Sequence, residues 1–185
     1  MTAPARTGLG PLAPRRGGLR AGTGAPVVDA RADFQRARRA EIVARALHRL
    51  LPRRRGPAAL PTLDSVRGFS WAAGDLRVIP LRAIVGTVDA TTDFDAAFRP
   101  TTNRVAARWQ RVALAHRRGD TLPPITVIER PDGYYVIDGR HRVSVARAVG
   151  QTDIDAWVGP TLRPAVSPDA PGDRPGAQGT TTLST

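Results

Sequence analysis

The 185-residue chain contains no cysteine. Disulfides, thiolate metal sites and thiol nucleophiles are therefore excluded, and the absence fits a cytoplasmic location. It also contains no lysine, so all 28 basic residues are arginine. With 18 Gly, 17 Pro and abundant Ala, this usage reads as GC-rich coding as much as selection for function, and the net charge of +12 is discounted accordingly. No apolar run approaches the roughly 18 residues of a membrane span. The first residues, Met1 to Pro14, hold Pro, Gly and Arg where a signal peptide needs an apolar block, so export by that route is not expected.

What is present is unevenly distributed. Residues 1–60 carry 13 arginines against three acids, a net +10, whereas residues 76–158 carry 12 against nine, a net +3. The basic character belongs to the N-terminal arm, which can associate non-specifically with DNA or another anionic surface through counterion release. Residues 1–29 read as a disordered basic leader, rich in Gly, Pro, Ala and Arg without periodicity. Residues 30–52 read as an amphipathic, Arg-rich helix. Ile42, Val43, Ala46, Leu47, Leu50 and Leu51 fall on one face, and Arg38, Arg45 and Arg49 fall on another. Asp29 or Asp33 is placed to cap its start and Pro52 closes it. Arg53, Arg54 and Arg55 extend the basic face into a connector, residues 53–75, whose Leu60, Leu63, Val66, Phe69 and Trp71 are suited to docking on a core.

A compact domain is expected over residues 76–158. Leu76 to Leu81 reads as a strand and Leu81 to Val85 as a short turn. Gly86 to Pro100, with Asp89, Asp93, Asp95, Phe94 and Phe98, reads as a loop or short helix. Thr101 to Arg118 reads as a helix, capped by Thr102 or Asn103, with Val105, Trp109 and Val112 as its buried stripe and Gly119 at its end. His116 sits one turn beyond Val112 as a packing residue. Ile125 to Glu129 and Tyr134 to Ile137 form a hairpin about Pro131-Asp132-Gly133, and Asp153 to Val158 is a last, half-exposed strand. Strand, loop, helix, hairpin, helix and strand in that order make a small α+β domain, a mixed sheet with packed helices. Residues 159–185 revert to Pro, Gly, Thr, Asp and Ser and read as a disordered tail.

The chemistry concentrates where the return strand of the hairpin meets the next helix. Asp138-Gly139 is the turn, and Arg140, His141 and Arg142 follow at once in a helix that Gly150 closes. A helix start leaves about four N–H groups unpaired and carries roughly half a positive charge. Two arginines and a histidine at that point make a site for an anion, most naturally a phosphate. Gly139 lets the backbone approach the ligand. Ser144, one turn on, can reach a phosphate oxygen or pack within the helix. Asp138 can act as a catalytic carboxylate, cap the helix or pair with an arginine.

These residues resemble the ParB/sulfiredoxin-like superfamily: Leu122-Pro123-Pro124-Ile125, Tyr135 to Arg142, Ala146 to Gly150 and Ile154 to Val158. They look most similar to the short ParB-like proteins of high-GC bacteria. The resemblance implies that Gly139, Arg140, His141 and Arg142 contact the phosphates of CTP, as in ParB, or of ATP, as in sulfiredoxins, whose His-Arg turn the related serine kinases share. Chromosome-partition proteins of this kind continue into a helix-turn-helix reader; only 27 Pro/Gly/Thr-rich residues follow Val158 here, so centromere recognition is not expected within this chain. The downstream Asn/Gln/Arg nucleotide motif is missing too. Sulfiredoxin chemistry needs a cysteine where Arg140 stands.

Three functions follow as expectations. The first is a regulatory nucleotide-binding module whose Arg38, Arg45, Arg49, Arg53, Arg54 and Arg55 add non-specific DNA contact. The second is a small phosphotransferase or hydrolase using magnesium and Asp138 or a loop aspartate among Asp89, Asp93 and Asp95; no metal-ligand motif is assigned in the residues themselves. The third is a regulator that docks a protein partner, or a second copy as a homodimer, and binds no nucleotide. None of the three involves a membrane.

Overall fold

The computed structural model describes residues 22–50, 60–63 and 74–159. The leader before residue 22, Leu51, Arg53 to Arg55, Val66, Phe69, Trp71 and the tail after residue 159 lie outside the described residues. In chain order the elements are α1 (Pro26–Leu50), β1 (Asp75–Pro80), a 3-10 turn (Leu81–Ala83), β2 (Ile84–Thr87), α2 (Ala106–Arg118), β3 (Ile125–Arg130), β4 (Gly133–Asp138), α3 (Arg140–Ala148) and β5 (Asp153–Gly159).

The chain is α+β. Its five strands form one mixed sheet in the order β1-β5-β3-β4-β2. The hairpin pair β3 and β4 is antiparallel, as is β1 with β5, whereas β3 with β5 and β2 with β4 are parallel. Alternation decides which side of each strand faces the helices. Ile79, Ile125, Val127, Val136, Ala156 and Val158 point inward and join Val143 and Ala146 of α3 in one core. The opposite side of α3 gives Val145 and Val149 to a second core with Ala30, Phe34 and Ala37 of α1 and Trp109 and Ala113 of α2. Helix α3 is thus sandwiched between the sheet and the α1–α2 pair. Phe34 meets Trp109 edge to face, with ring centroids 5.5 Å apart.

Helix α1 begins with a proline at its first position, where the missing N–H costs nothing. Asp29 reaches back to accept hydrogen bonds from the Thr23 N–H at 3.1 Å and the Thr23 hydroxyl at 3.0 Å. Arg117 of α2 lies between Asp29 and Asp33, donating to Asp33 at 2.6 Å, and this buried cluster fastens α1 to α2.

Four local expectations are corrected. Ile84 to Thr87 is a strand, because the backbone pairs with β4 on one side and Thr62 bridges Thr87 on the other. Gly86 to Pro100 holds no helix beyond that strand. Its backbone is organised by Asp95, which accepts from the N–H groups of Ala97 at 3.0 Å and Arg99 at 2.8 Å and from the Arg99 guanidinium at 2.8 Å. Helix α2 starts at Ala106 rather than Thr101, with Val105 as its N-cap and no side-chain cap. The Thr102 hydroxyl is spent instead on Asp93, at 3.2 Å. Helix α1 begins at Pro26, inside the stretch read as a disordered leader, so Asp29 lies within it and binds Thr23. Gly119 takes the left-handed conformation after α2 as expected, Gly150 does so after α3, and Leu60 of the connector is buried in the sheet-side core.

Candidate functional site

The site is the junction of β4 with α3. Strand β4 delivers Asp138 to the end of the sheet, and Gly139 turns the chain with φ of 102°, a left-handed conformation. A side chain here is barred twice. The conformation disfavours any Cβ, and a Cβ would lie 2.5 Å from Ile125 Cγ2 on the adjacent strand. The first intrahelical bond is donated by the Val143 N–H to the Gly139 carbonyl at 3.0 Å. The N–H groups of Arg140, His141 and Arg142 therefore precede the helical ladder and form its positive end.

The two arginines of the turn have different surroundings. Arg142 folds back on the turn itself: its guanidinium donates to the carbonyls of Pro123 and of Pro124, the latter at 2.7 Å, and pairs with Asp138 at 2.5 Å. It braces the loop before β3 against the start of α3. Arg140 lies on the other side, over β2, where it donates to Thr87 Oγ1 at 3.5 Å and the Asp89 carbonyl at 3.4 Å. Those are long bonds between a cation and neutral acceptors, and among the described residues no carboxylate pairs with it. Thr87 is itself fixed by donating to the Val136 carbonyl at 2.9 Å.

His141 stands edge-on to Phe94 at 5.2 Å, with the rings perpendicular. Burial lowers its pKa to about 4, helped by the positive charge of Arg108 and Arg140 and opposed by Asp93 and Asp138. At neutral pH it is an uncharged imidazole able to donate one hydrogen bond and accept another.

Not all the sequence candidates converge. Ser144 faces the core, where its hydroxyl oxygen accepts from the Trp109 indole N–H at 2.8 Å in a buried bond. Arg38 and Arg45 are paired with the buried carboxylate of Glu41, and Arg38 also holds the Pro100 carbonyl at 2.9 Å. Arg49 is exposed on α1. Thr87, Phe94 and Arg108 join the site without having been assigned to it from sequence. Phe94 comes from the loop and meets the His141 ring, Arg108 comes from α2 and adds positive charge beside it, and Thr87 sits on the strand that sequence periodicity misses.

Three of the four carboxylates considered for magnesium have protein partners, and Asp89 is exposed. Asp138 is committed to Arg142 and Asp95 to Arg99, and Asp93 accepts the Thr102 hydroxyl. Among the described residues no three histidine or carboxylate side chains gather into a metal-sized cluster.

No protein-family model matches the chain, and no curated protein matches it either. A solved structure of sulfiredoxin from Arabidopsis thaliana is similar at 21% identity and a TM-score of 0.35, with 45% of this chain and 83% of that one covered. A likeness of that extent leaves the site to be read from its own geometry.

Proposed function

We propose that the Gly139–Arg142 turn binds the phosphate groups of a nucleotide and that the chain is a regulatory nucleotide-binding module. The observation that supports this is the division of labour between the two arginines. Arg142 consumes the turn's carboxylate and two loop carbonyls, which leaves Arg140 as a cation beside the open N–H groups of α3. An anion seated there meets backbone donors, one guanidinium and a neutral imidazole, the donor set that phosphate oxygens accept. The turn's own carboxylate, Asp138, is engaged by Arg142, which favours binding over phosphotransfer as the reading. Its resemblance to the turns of ParB and sulfiredoxins makes CTP and ATP the first nucleotides to try.

Calorimetric titration with CTP, ATP and GTP, each with and without magnesium, tests this. The wild-type chain binds at least one of them, and Arg140→Ala weakens that binding by about tenfold or more, the scale of one lost charge-assisted contact. No heat of binding at millimolar nucleotide would sink the proposal. Inorganic phosphate release in the same samples identifies hydrolysis, which the geometry does not lead us to expect.

A further inference from the structure

Helix α1 has two faces with apolar residues, and only one of them is buried among the described residues. The inward face is Ala30, Phe34 and Ala37, continued by the carboxylate of Glu41. The stripe that periodicity picks out in the second half of the helix points the other way. Ile42, Val43, Leu47 and Leu50 are 52%, 56%, 52% and 76% exposed. A surface helix ordinarily turns its apolar stripe to the core and its charges to water. Here a run of aliphatic side chains lies in solvent on a helix already anchored by its other side.

The charges on α1 are sorted as well. Its three acids, Asp29, Asp33 and Glu41, are all buried, and each is bound to an arginine or to Thr23. Beside the outward stripe stand Arg39 and Arg49, both exposed. Val43, Ala46, Leu47 and Leu50 follow the i, i+3, i+4, i+7 spacing of a helix-pairing seam, and Ala46 in its middle permits close approach. Phosphate backbones have no use for such an aliphatic seam. A bilayer surface is a poor match, because the stripe has no aromatic residue to seat among lipid headgroups. A second copy would set Arg39 and Arg49 against their own like charges. The complement of an apolar seam flanked only by cations is an apolar seam flanked by carboxylates.

We propose that the outward face of α1 from Arg39 to Leu50 docks an acidic amphipathic helix of a partner protein. The partner's apolar seam packs on Val43, Leu47 and Leu50, and its glutamates or aspartates meet Arg39 and Arg49.

The test uses the full chain and two fluorescein-labelled synthetic helical peptides that share one leucine seam. One is flanked by glutamate and the other by lysine. Fluorescence anisotropy is expected to show binding of the glutamate peptide and weaker binding of the lysine peptide, by about tenfold or more. The double variant Val43→Gln/Leu47→Gln alters only exposed side chains, so circular dichroism stays unchanged while affinity for the glutamate peptide falls by a similar factor. Arg49→Glu is expected to narrow or reverse the preference between the peptides. The proposal is overturned if the wild-type chain ignores the glutamate peptide or if the double variant binds it equally well. Two further results also overturn it in favour of another occupant: cosedimentation with phosphatidylserine vesicles, or a dimer in sedimentation velocity, either one abolished by the double variant.

Discussion

The indole N–H of Trp109 donates to the hydroxyl oxygen of Ser144 at 2.8 Å, joining α2 to α3 inside the second core. Both side chains are buried, so this bond has no water to replace it. Ser144→Ala leaves the indole donor unsatisfied and is expected to cost about 1–3 kcal/mol in chemical denaturation. Nucleotide affinity is expected to stay unchanged, because the hydroxyl points away from the turn. A variant of normal stability that had lost nucleotide binding would return Ser144 to the phosphate site.

Gly139→Ala combines a left-handed backbone with a Cβ placed 2.5 Å from Ile125 Cγ2. The conformation alone costs roughly 1–2 kcal/mol, and the clash adds to it, because Ile125 is fully buried between neighbouring strands. A drop in thermal midpoint beyond that of Gly150→Ala is expected. Gly150 is also left-handed but has nothing within 4 Å of a Cβ, so it isolates the conformational part.

His141 makes stability depend on pH. Its pKa is pulled down to about 4 in the folded chain, chiefly by burial, whereas the unfolded chain titrates near the ordinary 6.5. Between those values the unfolded state binds more protons, so native stability falls as pH falls through that window and is fully present above it. Denaturation midpoints at about pH 7 and about pH 4.5 are expected to differ more for the wild type than for His141→Asn. Proton NMR of the imidazole is expected to place its midpoint near 4 without ligand and higher once a nucleotide is bound, since a nearby phosphate favours the charged ring. An unshifted midpoint with nucleotide present would place the phosphates away from His141.

Arg117 is held by Asp33 at 2.6 Å and lies 3.7 Å from Asp29. Removing the cation leaves Asp29 and Asp33, one turn apart on the same face of α1, with Thr23 and Arg36 as their remaining partners. Arg117→Met is therefore expected to destabilise the chain by about 1–3 kcal/mol, a loss that urea denaturation measures. The hydrogen bond with Asp33 raises the pKa of Arg117, and the Thr23 N–H holds the Asp29 carboxyl below its usual range. The part of this anchor that Asp29 supplies therefore persists through the mildly acidic range and is lost as pH falls through its depressed pKa.

Most of the framework was legible because its signals are local. Period-two alternation marked β5, an apolar run marked β1, the Pro131-Asp132-Gly133 turn marked the hairpin, and single glycines marked the ends of α2 and α3. Strand β2 was not legible: it is four residues long with Gly86 inside, and only its neighbours β4 and Thr62 make it a strand. The outward direction of the α1 stripe was hidden for a related reason. Ala30, Phe34 and Ala37 make a weaker periodic signal than Ile42 to Leu50, yet Trp109 and Val145 make them the packed face.

The site was legible as a motif but not as a set of roles. Gly139 to Arg142 stood out in sequence because strand, glycine, basic residues and helix adjoin one another. What separates Arg140 from Arg142 is set by distant backbone: Pro123 and Pro124 on one side, Thr87 and Asp89 on the other. The burial of Ser144 likewise depends on Trp109, 35 residues away.

The strand order also bears on how the chain reaches this structure. β5 lies between β1 and β3, so Asp75 pairs with Val158 and Ile125 with Ala156. The last of the described strands fills an interior place in the sheet, and until it emerges from the ribosome β1 lacks the strand it pairs with and β3 keeps an open edge. Sheet closure waits on contacts spanning some eighty residues, which makes for slow folding and a half-built intermediate prone to mispairing. The β4–α3 junction sits on the hairpin side of that gap, and its partners in β2 and in the loop before β3 all precede β5 in the chain.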